Sequence, residues 1–540
     1  MRDSTISNSK DSIKKVELLS PAGNFHKLKI ALSYGADAVY GGVSHFSLRN
    51  RSGKEFTYES FADAVSYTHK RGKKIYATIN GFPFNSQINS LKNHIAKMRD
   101  LGVNAFIVAT PGVIKLCKEI APNIPLHLST QANVLNGLDA EVFYELGVRR
   151  IVAARELSLK DAMEIKSHIP ELEIEIFIHG SMCFAFSGRC LISSLQNGRV
   201  PNRGSCANDC RFDYEFYVKN PDNGVMMRLE EEEGVGSHIF NAKDLNLSQH
   251  IDTILDSGAI SALKIEGRTK SAYYAALTTR TYRMAIDDFY AGKSRKKLYK
   301  AELDGLQNRG FTDGYIIHRP FERQNTQNLE SAISMGEYQV SGEVREDGEY
   351  ALCKFTTKIG EVKEIIAPLG SEIPLINNEI GEIFRGFGDG DSSKKDSIDL
   401  DSADLDSSLQ DFSDLDSNDL DSSTADSIKK DSNEGDFSDL DSNKKDSAEL
   451  NSVPKNSSVM DSSTADSANL DSTNLDSAEP DSSPQDSIQD SNKEIKYFIR
   501  FKKILLENGK ELSEIHSGNV NYFKLPFPLP PHSFLRQKVE

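Results

Sequence analysis

The feature that most restricts this chain is a unit that recurs through residues 16–335: a short β-rich run, ending in small or polar residues, followed by a helical stretch. Eight such runs occur, at 16–20, 37–42, 74–80, 105–110, 126–131, 150–154, 174–180 and 262–267. They read as strands buried on both faces, as in parallel sheets flanked by helices. Between them lie helical patterns such as 24–35, with Leu28, Ala31 and Leu32 on one face, and 61–72 and 88–102. These patterns end in Gly35, Gly72 and Gly102, and glycine takes the left-handed cap without a Cβ clash. Eight βα units in series predict a closed (β/α)8, TIM-like barrel over 16–335. A doubly wound open sheet is the alternative, but it needs a switch point that an even series lacks.

After residue 336 the pattern changes to alternation, through 388, and alternation resumes over 494–540. Neither half has enough strands for a stable sheet of its own, so the two are expected to form one small antiparallel β domain. Between them, 389–493 is a low-complexity acidic insert with a five-residue period: Asp391, Asp396, Asp401, Asp406 and onward, usually followed by Ser. Leu400, Leu405, Leu415 and Leu420 share one repeat position with Lys430, Lys445 and Lys455. Charge at that position argues against a stacked pentapeptide solenoid, and disorder is expected in a hairpin loop of the β domain. Residues 1–15 read as a disordered leader.

The insert also controls the charge. Residues 391–490 hold 24 Asp, 3 Glu and 7 Lys, a net −20, whereas the whole chain carries −16; the remainder is therefore +4. A mildly basic remainder leaves nucleic acid open as a partner. No run of eighteen apolar residues occurs and the polar start lacks a signal-peptide core, so a cytoplasmic location is expected.

The seventh and eighth runs stand about eighty residues apart, and the extra length, 181–240, holds Cys183, Cys190, Cys206 and Cys210. An insertion after the seventh strand is expected at the carboxyl-end face, where barrel enzymes work. Four cysteines within 28 residues of a chain without secretory features point to metal ligation before disulfides. Thiolates suit zinc or an iron–sulfur cluster, and spacing alone leaves both open. Gly180, Gly188, Gly198 and Gly204 permit sharp turns there, and Arg189, Arg199, Arg203 and Arg211 surround the sulfurs. Cys117 and Cys353 read as core residues.

Polar residues near the strand ends supply further candidates: Glu17, Ser20, Asn80, His127, Ser129, Asn133, Arg155, Glu156, Glu175 and Lys264. The catalytic candidates are Glu266 and Arg268, in a KIEGR segment ending an apolar run, with His179 and Gln131. Strand alternation means that Gln131, His179 and Glu266 need not share one cavity. No G-x-S-x-G, HExxH or GxxxxGK[ST] is present, which argues against serine hydrolases, zincins and P-loop enzymes.

The stretch EIFIHGSMCFAFSGRCLIS (175–193) resembles the signature of the collagenase-like peptidase family of unknown catalytic type. The matching places are Glu175, Phe177, Gly180, Ser181, Cys183, Gly188, Cys190, Ile192 and Ser193, and the similarity extends through LLSPAGN (18–24), ADAVYGG (36–42), STQANV (129–134), KIEGR (264–268) and NRGFTDGY (308–315). Thr110 stands where family members often carry Asp. The resemblance implies a [4Fe–4S] cluster on Cys183, Cys190, Cys206 and Cys210, and is nearest to a branch acting in tRNA uridine hydroxylation. It further implies 5-hydroxyuridine at the wobble position as product, prephenate as required metabolite and the tRNA anticodon loop as partner, along with an electron donor or cluster-assembly proteins. Phe184, Phe186, Arg189, Arg199, Arg203 and Tyr214 are the residues expected to meet such an RNA. A collagenase-like peptidase and a non-enzymatic metal-containing RNA-binding scaffold are the alternative functions.

Overall fold

The computed structural model of the protein describes residues 15–43, 46–48, 56–212, 216–219, 221–229, 242–317, 326, 334, 336–387, 495–518 and 521–539. Residues 1–14, the acidic insert, Tyr214 and parts of the cysteine insertion lie outside the described residues.

Each of the eight expected runs overlaps a strand. In chain order the elements are β1 (Glu17–Pro21), α1 (Phe25–Ser33), β2 (Ala38–Gly41), α2 (Tyr58–His69), β3 (Lys74–Ile79), α3 (Ile88–Asp100), β4 (Ala105–Val108), α4 (Pro111–Ile120), β5 (Leu126–Leu128), α5 (Gly137–Glu145), β6 (Val148–Val152), α6 (Leu159–His168) and β7 (Glu173–Ser181). Then come α7 (Ile192–Asn197), β8 (Phe216–Lys219), β9 (Met226–Leu229), β10 (Asp244–Asn246), α8 (Ile251–Asp256), β11 (Ala262–Ile265), α9 (Ala272–Tyr290), α10 (Lys296–Asp304) and β12 (Phe311–Thr312). Strands β1 to β7 pair in sequence order, and β11 pairs in parallel with both β7 and β1, closing the barrel.

Local chemistry sets the helix boundaries. Asn24, Thr57, Asn136, Ser158 and Ser271 each accept a backbone N–H at a helix start. Gly35, Gly72 and Gly102 take positive φ just past α1, α2 and α3, as their positions predicted. The fifth strand is shorter than the run at 126–131, because Ser129 caps a single 3-10 turn over Thr130–Ala132. Two strands of the barrel sheet had no sequence signal: β10 runs antiparallel to β7, and β12 lies parallel to β10. At three and two residues they are too short for periodicity to register.

The barrel interior is divided. Leu19, Ala38, Tyr40, Tyr76, Ala105 and Ile107, from β1 to β4, form one apolar cluster. The opposite wall is ionic. Arg150 on β6 donates to Glu17 (2.7 Å), Glu173 (2.7 Å) and Glu175 (3.1 Å), while Lys264 on β11 reaches Glu175 at 2.8 Å.

The second domain is a curled antiparallel sheet. Its strands are β13 (Tyr338–Val344), β14 (Tyr350–Cys353), β15 (Thr357–Lys358), β16 (Val362–Ile366), β17 (Ile376–Asn377), β18 (Gly381–Phe387), β19 (Ile495–Phe501), β20 (Ile504–Leu505), β21 (Glu511–Leu512), β22 (Glu514–Ile515), β23 (Tyr522–Lys524) and β24 (Phe534–Lys538). Eight of them form one sheet in the order β17-β18-β19-β16-β24-β13-β14-β23, which mixes strands from both sides of the acidic segment. Phe387 of β18 pairs with Ile495 of β19, so the chain leaves and re-enters the domain at adjacent strand ends.

The sheet is fastened to barrel helices α1, α9 and α10. The fully buried Arg536 on β24 donates to Glu364 (2.9 Å), to Glu302 on α10 (3.0 Å) and to the Tyr273 hydroxyl on α9 (3.1 Å). From α1, the Tyr34 hydroxyl donates to the carbonyls of Ile366 and His532, at 2.8 and 3.0 Å. Burial pushes the Glu302 carboxyl up, but Arg536 more than offsets this and holds it below the ordinary value.

Candidate active site

Several polar residues assigned to the strand ends by sequence belong instead to the interior. Glu17 opens β1 and also accepts from the Tyr76 hydroxyl (2.9 Å) and Lys74 (3.0 Å). Burial raises the Glu17 carboxyl, but Arg150 and Lys74 outweigh it and hold the group ionised. Three carboxylates, Glu17, Glu173 and Glu175, meet three cations, Arg150, Lys74 and Lys264. His127 is buried beside them, 4.7 Å from the Tyr76 ring, and burial followed by Arg150 and Lys264 drives it well below the usual imidazole range. It is therefore neutral. This cluster is a structural plug whose charges are matched internally.

The carboxyl end of the barrel is organised differently. Arg268, buried just beyond β11, reaches across to donate to the Ser47 hydroxyl (2.6 Å) and the Thr78 hydroxyl (3.2 Å). Asn80, after β3, donates to Ser129 after β5 at 3.2 Å. Gln131 sits on the 3-10 turn after β5, and its enclosed Oε1 has no hydrogen-bond partner. Glu266 is half-buried; its backbone N–H donates to the His179 carbonyl (2.9 Å), and its own carbonyl accepts from Tyr274 (2.7 Å).

His179 faces away from this group. A register shift between β7 and β11 occurs at its position, and the ring packs against Tyr274 and Tyr282 of α9 and Phe311 of β12. Burial lowers its pKa to about 3, with Asp244 opposing and Lys270 assisting. A ring so placed stays neutral near pH 7.

The cysteine-bearing loop lies on the carboxyl side, over β3, β5 and β6. Ser187 donates its N–H to Glu156 (3.0 Å), and its hydroxyl lies 3.4 Å from both Thr130 Oγ1 and the Arg155 amide. Gly188, at φ +77°, passes so close to the chain that a Cβ would stand 2.2 Å from the Gln131 carbonyl oxygen. Asn202 donates to the Gly188 carbonyl (2.9 Å) and accepts the Phe82 amide (3.2 Å). Arg203 donates to Gln87 (2.9 Å) and lies over the Phe84 ring. Ser47, Thr78 and Asn202 escaped the sequence reading because none sits in a motif, and Ser187 because it fills an unspecified place within the 175–193 signature; contact alone identifies them.

All four loop cysteines are free thiols; Cys183 is exposed, while Cys190, Cys206 and Cys210 are half-buried. Burial, with added repulsion from neighbouring thiols, raises Cys190 and Cys210 above the usual thiol value. For Cys210 those neighbours are Cys183, Cys206 and Cys190, so the four sulfurs lie within electrostatic reach of one another. Among the described residues, the compact metal-capable trio is elsewhere: His26, Glu343 and His532, with ligand atoms all within 4.8 Å. Phe184, Phe186 and Phe212 are exposed around the loop, as are Arg189 and Arg199. Among the described residues no helix is long and apolar enough to cross a membrane.

Comparison with known proteins places this geometry in context. The profile of peptidase family U32 matches residues 23–326. The tRNA hydroxylation protein P of Helicobacter pylori is 54% identical over 527 residues, covering 98% of this chain and all of the relative. The tRNA hydroxylation protein P of Escherichia coli is 36% identical over 400 residues, spanning 66% of this chain and 87% of its own. Among solved structures, the U32 peptidase Mk0906 is 14% identical with a TM-score of 0.32, covering 49% of this chain and 99% of its own.

Proposed function

From the premise that the chain belongs to peptidase family U32, we propose that it is an enzyme of tRNA hydroxylation, forming 5-hydroxyuridine at the wobble position with prephenate as the required metabolite. The observation that carries this reading is the full-length similarity to a tRNA hydroxylation protein, together with a four-thiol loop at the carboxyl end of the barrel. The peptidase alternative has no comparable support, because the loop at the mouth presents sulfur ligands and arginines.

The donor set fits a [4Fe–4S] cluster held by Cys183, Cys190, Cys206 and Cys210. A single tetrahedral zinc, about 2.3 Å from each sulfur, needs sulfurs about 3.8 Å apart. Four soft thiolates from one loop suit an iron–sulfur centre. Thiols that resist ionisation lose their protons when a metal centre binds, so the raised Cys190 and Cys210 are compatible with ligation. When bound, the cluster supplies redox chemistry that side chains lack for oxidising an unactivated pyrimidine carbon.

The remaining roles fall to this chain's own groups. Exposed Arg189 and Arg199, with the half-buried Arg203, attract the phosphate backbone, and exposed Phe184 and Phe186 offer faces for unstacked bases. Arg268 supplies fixed positive charge for an anionic metabolite, and the unsatisfied Gln131 oxygen accepts a hydrogen bond from it. Glu266 stands at the rim as the adjacent carboxylate. His179 acts as a positioning residue, through the carbonyl that anchors the Glu266 amide.

The test has two arms. Protein purified without oxygen is expected to be coloured, with iron and sulfide near four per chain, and Cys190→Ser to lose most of both. Nucleoside analysis of tRNA from a deletion strain is expected to lack wobble hydroxyuridine until the intact gene, but not the Cys190→Ser gene, is restored. Colourless protein holding zinc, or unchanged hydroxyuridine in a strain without a second pathway, would overturn the reading.

A further inference from the structure

We propose that His26, Glu343 and His532 form a binding site for a zinc-class divalent ion that clamps the first barrel helix to the β domain. The three residues come from separate parts of the chain. His26 is the second residue of α1, Glu343 lies on β13, and His532 precedes β24. Their ligand atoms all lie within 4.8 Å of one another, and His26 Nε2 stands 2.5 Å from Glu343 Oε1. The two imidazole rings are 5.8 Å apart at 70°, close and steeply inclined to one another.

The site is built rather than incidental. Glu343 and His532 are buried, whereas His26 is half-exposed, leaving a route for an ion and a coordinating water. Lys354 holds the second Glu343 oxygen at 2.9 Å and so directs Oε1 toward the imidazoles. The backbone of His532 is fixed at both ends: its N–H donates to Val344 (3.2 Å) and its carbonyl accepts from Tyr34. Nearby, Lys29 pairs with Glu346 and Lys354 with Glu343, so each lysine beside the trio is matched by a carboxylate.

Ligand chemistry selects the ion. Two imidazoles and one carboxylate are a donor set that zinc accepts in tetrahedral sites with a water as fourth ligand. Calcium and magnesium demand mostly oxygen ligands, which this trio does not offer. The site lies apart from the cysteine loop and is independent of the tRNA reading. A bound ion here would stabilise the docking of the β domain by binding only the assembled form.

The experiment compares zinc uptake by the full chain, purified without oxygen, with that of His26→Ala and His532→Asn, by competition against a chromophoric chelator. Asparagine tolerates the positive φ of 65° at position 532, so that variant keeps the backbone while losing the imidazole. The cysteines contribute equally to all three proteins, so the difference isolates this site. The expected result is one zinc equivalent fewer in each variant, and a zinc-dependent rise in thermal midpoint that only the parent chain shows. Equal uptake in all three proteins, or an equal thermal response, overturns the proposal.

Discussion

The two ends of the barrel interior treat charge in opposite ways. Toward the strand starts, Arg150, Lys74 and Lys264 are matched by Glu17, Glu173 and Glu175, at distances of 2.7 to 3.1 Å. Each of those groups finds its partner on a neighbouring or facing strand. At the strand ends, Arg268 rests on hydroxyls, the Gln131 oxygen is unsatisfied, and the overlying loop leaves Cys183, Arg189 and Arg199 exposed. The contrast teaches that a polar residue in a barrel strand is informative only once its partners are known. A network whose charges are matched internally is a structural plug, and one that leaves cations and acceptors toward the mouth is a place for substrate.

The sharpest way to break the comparison is to remove the hub of the plug. Arg150→Met leaves Glu175, which has no exposed surface, without one of its two cations. The expected loss is about 3–5 kcal/mol in a denaturant titration, the range for breaking a buried pair from one side. A loss under about 1 kcal/mol would mean that the interior is as adaptable as the mouth.

Gly188→Ala sharpens the contrast from the other side. A Cβ there meets the Gln131 carbonyl oxygen at 2.2 Å and strains a residue at φ +77°. The global cost is expected to be about 1–3 kcal/mol. The more telling readout is iron per chain, which should fall clearly while far-ultraviolet circular dichroism stays unchanged. Full iron content would detach the loop's docking from its ligand geometry.

The third test uses pH. His179 titrates at about 3 in the folded chain and near its ordinary 6.5 when unfolded. Between those values the unfolded state binds the extra proton, so this group's contribution is intact above pH 6.5 and is lost as pH falls. The slope is about 1.4 kcal/mol per pH unit, and His179→Gln should remove it from the stability profile between pH 6 and 4. Identical profiles for parent and variant would place the ring in contact with water.

The sequence by itself determined the barrel. Eight apolar runs, separated by helical patterns ending in Gly35, Gly72 and Gly102, favour a closed barrel, because strands apolar on both faces must be covered on both and the series lacks the switch point of an open sheet. It also determined the joining of the two β segments, since neither holds enough strands to stand alone. Motif resemblance supplied the family and the proposal that Cys183, Cys190, Cys206 and Cys210 are ligands. Only the tertiary structure separated Glu17, Glu175, Lys264 and His127 from Gln131 and Arg268, because a strand's alternation gives a face and not a depth along the barrel. It alone turned His179 outward, through a register shift no local pattern encodes. It also brought His26 to Glu343 and His532, more than three hundred residues away, because contacts across a domain interface leave no periodic trace in the chain.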